Sequence, residues 1–225
     1  NISEDIDKLL KKKKEVIIVS SGAIALGKKK LDLPDEINLN QSQAAAARGQ
    51  IELISSWKNE FKKLNRQVAQ ILLSPSDTQN KKSSVNAIAT LDNLLKLGCI
   101  PIINENDTTA TEEIKFGDND TLSALVAKAI GADLLLILSN VPGLMDPNNG
   151  NAVIPIVKEI NSDIKALASG TQNEMSVGGM VSKLSAAQIT MENNCGMFIG
   201  SGDDPELFQK ILKGENVGTY FPPKT

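Results

Sequence analysis

The chain of 225 residues is 41% hydrophobic and 23% charged, which excludes a disordered protein and allows one sizeable core. Its net charge of -3 argues against a general nucleic-acid binder, because affinity for phosphates needs a clustered cationic surface. The absence of histidine excludes serine-hydrolase triads, Cys-His proteases and zinc sites built from imidazole.

The chain alternates between helical and strand-like segments. The first helix is predicted over 3–14, where apolar residues recur at helical spacing and the lysines at 11–14 form a solvated last turn. An apolar, β-branched strand follows at 16–19. Further helices are expected at 42–64, 84–97, 121–130, 180–194 and 205–214, and further strands at 68–73, 100–103, 134–138 and 197–199. Residues 108–116 and 151–157 are typical of β-hairpins.

Strands separated by helices pair in parallel through right-handed crossovers. We therefore predict an α/β fold, a three-layer αβα sandwich with a mainly parallel central sheet. No linker, repeat or low-complexity segment interrupts the alternation, so residues 1–225 are expected to form a single domain.

The cysteines and the apolar runs indicate the compartment. Cys99 and Cys195 are far apart and belong to no C-x-x-C pair, so we expect neither a disulfide nor a metal site, and a cytoplasmic location. The longest apolar runs, such as 134–138, are far shorter than the roughly 20 residues that span a bilayer. We expect no membrane partner and no nucleic-acid partner.

In open parallel sheets, ligands bind beyond the carboxyl ends of the strands. The loops expected there are rich in small and amide residues, at 20–22, 104–107, 139–140 and 200–202. Ser21 and Gly22, entering a helix, would offer backbone N–H groups to an anion, although an ordinary strand-to-helix turn has the same sequence pattern.

The segment 102–120, IINENDTTATEEIKFGDND, concentrates acids and carboxamides around an apolar strand and the start of an apolar helix. Such groups suit binding an ammonium group, or organising lysines and metal-bound phosphate, but a solvated polar loop is the alternative. The candidate residues are Asn104, Asn106, Asp107, Asp118, Asn119 and Asp120.

A third element, SVGGMVSK at 176–183, places a glycine pair before a helix that carries Lys183 in its first turns. The glycines would admit a phosphate close to the backbone and Lys183 would supply a cation. A flexible loop with a surface lysine is the alternative.

Together these elements resemble the amino acid kinase family, and within it the glutamate 5-kinase (γ-glutamyl kinase) branch. The matching text is VIIVSSGAIALG at 16–27, PIINENDTTATEEIKFGDNDTLSALVA at 101–127, GADLLLILSNVPGLMDP at 131–147 and GGMVSKLSAAQIT at 178–190. The resemblance implies transfer of the ATP γ-phosphoryl group to the side-chain carboxylate of L-glutamate, the first step of proline biosynthesis. It also implies Mg²⁺ carried with the nucleotide, a homo-oligomer and, as in many members, feedback inhibition by proline.

The resemblance also implies the roles of single residues. Lys183 would lie over the transferred phosphate and Asp120 would align catalytic lysines. The substrate-binding positions would be Ser21, Gly22, Ala23, Asp107 and Asn119. The nucleotide-binding positions would be Ser139, Asn140, Val177, Gly178, Gly179, Met180, Val181, Ser182 and Lys183. Phosphoryl transfer to an ionised carboxylate needs no general base, which agrees with a chain without histidine.

The chain departs from the family pattern in three places. The family's Gly-Thr is Ser176-Val177 here, and its Thr-Asp is Ser139-Asn140. Its opening strand and Lys-x-Gly-[Ser/Thr] loop are not in the sequence, so we expect the native product to extend beyond Asn1 by roughly 15 to 30 residues, since a crossover helix needs a preceding strand. A C-terminal PUA domain is not expected. Two alternatives remain: a relative acting on another carboxylate or carbamate, and a catalytically weakened, nucleotide-binding regulatory protein.

Overall fold

A computed structural model of the chain describes residues 2–74, 77, 80–109, 119–169 and 179–224. The chain divides into two compact units, Asn1–Asn119 and Asp120–Thr225. Each unit contains parallel strands joined through helices, which confirms the α/β prediction. None of the described helices is both long and apolar enough to cross a membrane.

The first unit is built on a parallel sheet with the strand order β1-β3-β2. Its strands are β1 (Ile18–Val19), β2 (Gln67–Leu73) and β3 (Cys99–Glu105), and its helices are α1 (Ile2–Lys11), α2 (Ala23–Lys30), α3 (Leu39–Lys62) and α4 (Lys81–Lys96). A short 3₁₀ helix, Asp107–Thr109, follows β3. In the central strand, Ile100, Ile102 and Ile103 are at most 1% exposed, as expected for a strand that is covered on both faces.

The opening helix α1 packs on the rest of the first unit through both apolar and charged contacts. Ile6 joins Phe61 and Ile100 in a buried cluster. The buried carboxylate of Asp7 lies 2.7 Å from Lys11 Nζ and accepts a hydrogen bond from Arg66 Nε at 2.8 Å. Both contacts lower the pKa of Asp7, that with Lys11 more than that with Arg66. The lysines at 11–14 are exposed, which agrees with the expected solvated last turn.

Two glycines allow α2 and α3 to pack with their backbones in contact. A Cβ atom added to Gly27 would overlap the carbonyl oxygen of Ala45, and one added to Gly49 would overlap that of Ala23. No side chain can therefore occupy either position without moving the helices apart. Because α2 begins directly after the loop 20–22, this contact fixes where the loop lies in the first unit.

We expect Gly49→Ala to destabilise the protein by about 1–3 kcal/mol, the usual cost of overpacking a tight contact. The sign is diagnostic, because Gly→Ala in an exposed helix interior stabilises by roughly 0.5–1 kcal/mol. Urea denaturation of Gly49→Ala beside the unsubstituted protein measures the difference. A stabilised variant would show that the two helices do not touch at Gly49.

The second unit contains a sheet with the strand order β4-β7-β8 and a separate hairpin. Its helices are α5 (Asn119–Ile130, whose first residue is grouped with the first unit), α6 (Ser162–Ser169), α7 (Met180–Met191) and α8 (Leu207–Leu212). Its strands are β4 (Leu134–Ser139), β5 (Met145–Asp146), β6 (Ala152–Val153), β7 (Gly196–Ser201) and β8 (Gly218–Phe221). A buried cluster that includes Ile137, Met197, Ile199 and Phe221 forms the core.

The predicted helices and strands lie within a few residues of the observed ones, and the differences are local. The first strand is shorter than predicted, and α6 and β8 were not predicted. β8 pairs antiparallel with β7, so the sheet is only mainly parallel, as expected. The hairpin predicted at 151–157 is displaced: β5 and β6 pair over 145–153, so only its second strand lies within the predicted range. Of the hairpin predicted at 108–116, residues 110–116 lie outside the described residues.

Candidate active site

In the first unit, the loop after β1 presents a hydroxyl and backbone N–H groups at the start of α2. The backbone N–H of Ser20 donates to Ile103 O at 2.8 Å, which extends the pairing of β1 with β3 into the loop. Gly22 precedes α2 with φ of 106°, a left-handed conformation that favours glycine. Ser21 and Gly22 are exposed and Ala23 is buried, so the first two of these predicted substrate-binding residues are accessible.

A tryptophan of α3 forms a hydrogen bond to this loop. Trp57 Nε1 donates to Ser20 Oγ at 2.9 Å, and its ring stacks on Phe61 with the centroids 5.9 Å apart. Phe61 is fully buried, so the indole is anchored on the core while its N–H fixes the side chain beside Ser21. Trp57 is therefore a positioning residue for the loop.

We expect Trp57→Phe, which keeps an aromatic ring but removes the N–H donor, to lower kcat by about 2- to 10-fold for the phosphoryl transfer that the family resemblance implies. That range corresponds to the loss of one hydrogen bond of about 0.5–1.5 kcal/mol. Ser20→Ala should have a similar effect. The double variant should then lose little more than either single variant, because both substitutions remove the same bond. Fully additive losses in this cycle would contradict a positioning role.

At the end of β3, three carboxamides form a directed chain of hydrogen bonds. Asn119 Nδ2 donates to Asn104 Oδ1 at 3.1 Å, and Asn104 Nδ2 donates to Gln50 Oε1 at 2.8 Å. The structure thus brings Asn104 and Asn119 together, and adds Gln50 of α3. Three buried atoms of this region have no hydrogen-bond partner among the described residues: Gln50 Nε2, Asn119 Oδ1 and Asp107 Oδ1.

The carboxyl group of Asp107 lies in an environment that disfavours its charge. Asp107 is 6% exposed and begins the 3₁₀ helix that follows β3. Burial, and secondly the neighbouring charge of Glu105, raises the pKa of Asp107 to about 6. Such a group gains most from a cation, because a cation both restores its ionised form and supplies hydrogen-bond donors.

In the second unit, a lysine and an acid form a largely buried pair. Lys183 Nζ lies 3.0 Å from Asp120 Oδ2, and the two side chains are 11% and 17% exposed. Ser182 Oγ lies 2.7 Å from the same carboxylate oxygen and 2.9 Å from Gly179 O. Asp120 comes from the first turn of α5 and the other two side chains from the first turns of α7, so two helix N-termini fix the ammonium group.

The remaining predicted nucleotide-binding residues of the second unit lie at two places. Ser139 ends β4 and pairs in register with Ser201 of β7, so the loops after these parallel strands adjoin. The exposed Asn140 follows, with its Oδ1 3.3 Å from Ser139 Oγ. Gly179, Met180 and Val181 form the start of α7. Val177 and Gly178 lie outside the described residues, as do Ser176 and Asp118.

Sequence reasoning did not identify Gln50 or Trp57. The signal for Gln50 is its position on α3, where Ala46, Gly49 and Leu53 mark the buried face at helical spacing. A glutamine within such a face must have hydrogen-bond partners, and it therefore indicates a polar site. The partner of Trp57 is 37 residues away, so no local pattern predicts it.

Solved structures show which fold this is. The chain matches the UMP kinase from Bacillus anthracis with a TM-score of 0.59 and 18% identity, over 100% of this chain and 86% of that one. It matches the carbamate kinase from Giardia lamblia bound to AMP-PNP with a TM-score of 0.64 and 17% identity, over 99% of this chain and 88% of that one. Both likenesses concern the fold alone, and they confirm the predicted kinase fold.

Sequence relatives give the family. The chain is 44% identical over 227 residues to the glutamate 5-kinase of Pelagibacter ubique. The aligned region covers 99% of this chain and 61% of that protein. It is 44% identical to the glutamate 5-kinase of Rhizobium etli, over 98% of this chain and 58% of that protein. It is 47% identical to the glutamate 5-kinase of Clostridium acetobutylicum, over 93% of this chain and 80% of that protein. The chain thus spans about three fifths of the first two relatives. Residues 1–201 match the amino acid kinase family, and the chain belongs to that family.

Proposed function

We propose that the protein transfers the γ-phosphoryl group of ATP to the side-chain carboxylate of L-glutamate and so acts as a glutamate 5-kinase in proline biosynthesis. One observation carries the choice of an amino acid: Asp107 is buried and its Oδ1 has no hydrogen-bond partner among the described residues, in a region where Asn119 Oδ1 also lacks one. These two acceptors suit an α-ammonium group. The glutamate 5-kinases that are 44–47% identical over nearly the whole chain support the choice of glutamate.

The transfer itself needs little from the protein beyond position and charge. The ionised side-chain carboxylate attacks the γ-phosphorus in line, the bond from that phosphorus to the bridging oxygen breaks, and ADP leaves. No proton moves, so no general base is required. Lys183 would neutralise charge that develops on the transferred group, and the short contact with Asp120 would hold its ammonium in place.

The start of α7 suits the phosphates of ATP. Gly179 contributes no side-chain cap to this helix, and a Cβ atom at Gly179 would meet no described residue within 4 Å. A phosphate could therefore approach the backbone N–H groups and the positive end of the helix dipole. Mg²⁺ bound to the nucleotide would neutralise phosphate charge, chiefly through phosphate oxygens and water. Ser139 and Asn140 complete the proposed nucleotide site.

The proposal extends to the remaining family properties. Residues 1–225 would act as one kinase domain, Ser21, Gly22 and Ala23 would contact the substrate and the transferred group, and Val177 and Gly178 would contact the nucleotide. The enzyme would be a cytoplasmic homo-oligomer that proline inhibits. All of these follow from the family resemblance.

The test is ATP-dependent formation of γ-glutamyl hydroxamate by the full-length protein with glutamate, Mg²⁺ and hydroxylamine. Hydroxylamine traps the acyl phosphate and releases inorganic phosphate, so the product reports the transfer directly. We expect hydroxamate with glutamate and none with aspartate. Product from aspartate or carbamate would favour another kinase of the family. Nucleotide binding without any acyl phosphate would favour a regulatory protein, which the Asn140 position also suggests.

A further inference from the structure

The first unit contains a cavity of about 270 Å³ between α3 and the ends of β2 and β3. Its polar lining includes Gln50, Asp107 and Thr108, and its apolar lining includes Ile54 and Leu72. A single water needs about 10–15 Å³ of such a cavity, so the volume is large enough for a small amino acid. The cavity therefore lies where the proposed substrate needs its ammonium partner.

Neither the family resemblance nor the proposed function gives a role to Gln50, a buried residue of this cavity. It is 9% exposed, and its Oε1 is held by Asn104 Nδ2 at 2.8 Å. With the amide in this orientation, Nε2 is the end left without a partner among the described residues. A buried amide donor without a partner costs about 1–3 kcal/mol, and a ligand that accepts its hydrogen bond removes that cost.

The unpaired atoms have the polarity of a zwitterion. Asp107 Oδ1 and Asn119 Oδ1 are acceptors, whereas Gln50 Nε2 is a donor. An amino acid presents an ammonium donor and a carboxylate acceptor on the same carbon, which matches two acceptors and one donor. A bare cation does not match, because it cannot accept a hydrogen bond from Gln50 Nε2.

We propose that Gln50 binds the α-carboxylate of the amino acid substrate through Nε2, and so makes the site specific for a free α-carboxylate; this rests on the proposed function. Asn104 is then a positioning residue, because it fixes the orientation of the Gln50 amide. Asn119 extends the same chain of hydrogen bonds. One continuous chain would thus connect the groups that bind the ammonium and the carboxylate.

The experiment compares glutamate with its α-amide, isoglutamine, which keeps the side-chain carboxylate that is phosphorylated. The unsubstituted full-length protein should prefer glutamate. Gln50→Met should raise KM for glutamate about tenfold or more, the loss of a hydrogen bond to a charged group, and raise KM for isoglutamine less, because its amide oxygen accepts only a neutral hydrogen bond. Gln50→Glu keeps an acceptor for Asn104 but replaces the donor by an anion, so it should prefer isoglutamine. KM for ATP should not change in either variant.

The matched control is Gln67→Met, the same substitution at an exposed position at the start of β2. It should behave as the unsubstituted protein does. An equal rise of KM for both substrates in Gln50→Met, together with an unchanged preference in Gln50→Glu, would overturn the proposal and leave Gln50 a structural role.

Equilibrium binding of both amino acids, measured by calorimetry on the same proteins, separates the two proposals. Glutamate binding that depends on Gln50 without hydroxamate formation would support the role of Gln50 and contradict the kinase activity. Hydroxamate formation with an unchanged preference in both Gln50 variants would do the opposite.

Discussion

Replacing Lys183 with methionine is expected to lower kcat by about 100- to 1,000-fold, the usual effect of removing one preorganised electrostatic contact to a transition state. Methionine has nearly the same length and remains compatible with a buried helix position, so the charge is the main change. KM for glutamate should change little, because in the proposed mechanism the ammonium acts on charge that appears only during transfer. Hydroxamate kinetics with the full-length protein measure both constants.

The matched control for this variant is Lys158→Met, which removes an exposed lysine from the same unit. It should leave kcat unchanged. Asp120→Asn should lower kcat by a smaller factor, because it weakens the contact that orients Lys183 but keeps the ammonium group. An unchanged kcat in Lys183→Met, with normal thermal denaturation, would remove Lys183 from the mechanism.

The sequence predicts the position of Lys183 well because the governing pattern is local. A glycine pair followed by apolar residues at helical spacing predicts a helix start near Met180, and observation places α7 at Met180–Met191. Lys183 must then lie in the first turns of that helix. Its partner Asp120 is 63 residues away, and neither spacing nor composition specifies which acid it meets. Family resemblance, rather than local physics, indicated that pair.

The residues proposed to bind the amino acid are predicted less completely than Lys183, because they come together through long-range packing. The density of acids and amides in 102–120 predicts a polar site, and the structure places Asn104 and Asn119 in hydrogen-bond contact. Gln50 joins them from 54 residues away, because α3 packs across the end of β3. Helix packing of this kind depends on close contacts such as that at Gly49, which a single sequence does not display.

The second large effect is expected for Asp107→Asn. The variant should raise KM for glutamate by about 10- to 100-fold, since in the proposed site it would replace a charge-assisted hydrogen bond to the ammonium by a neutral one. KM for ATP should stay nearly constant. A rise in KM for ATP alone would place Asp107 at the nucleotide instead.

The pH dependence of the unsubstituted protein should agree with this role. The pKa of Asp107 is raised to about 6 by burial and by Glu105, so the free site binds a proton below that pH. An ammonium group binds the ionised carboxylate, and KM for glutamate should therefore rise as the pH falls below about 6, approaching tenfold for each pH unit. In Asp107→Asn this rise should disappear, whereas the control Asp92→Asn, at an exposed position of α4, should retain it.

The same shift predicts that Asp107→Asn stabilises the protein while it weakens substrate binding. A carboxyl group whose pKa is raised by folding favours the folded state at low pH, and this contribution is lost as the pH rises from about 3.9 through about 6. At neutral pH the unsubstituted protein therefore holds an unfavourable buried charge, and Asn should increase the free energy of unfolding by up to about 3 kcal/mol. Urea denaturation at pH 7.5 and at pH 4.5, without glutamate, should show a gain that is large at the higher pH and small at the lower one. A destabilised variant at pH 7.5 would mean that another group of the folded chain already stabilises the charge of Asp107. That result would contradict its proposed role as the partner of the substrate ammonium.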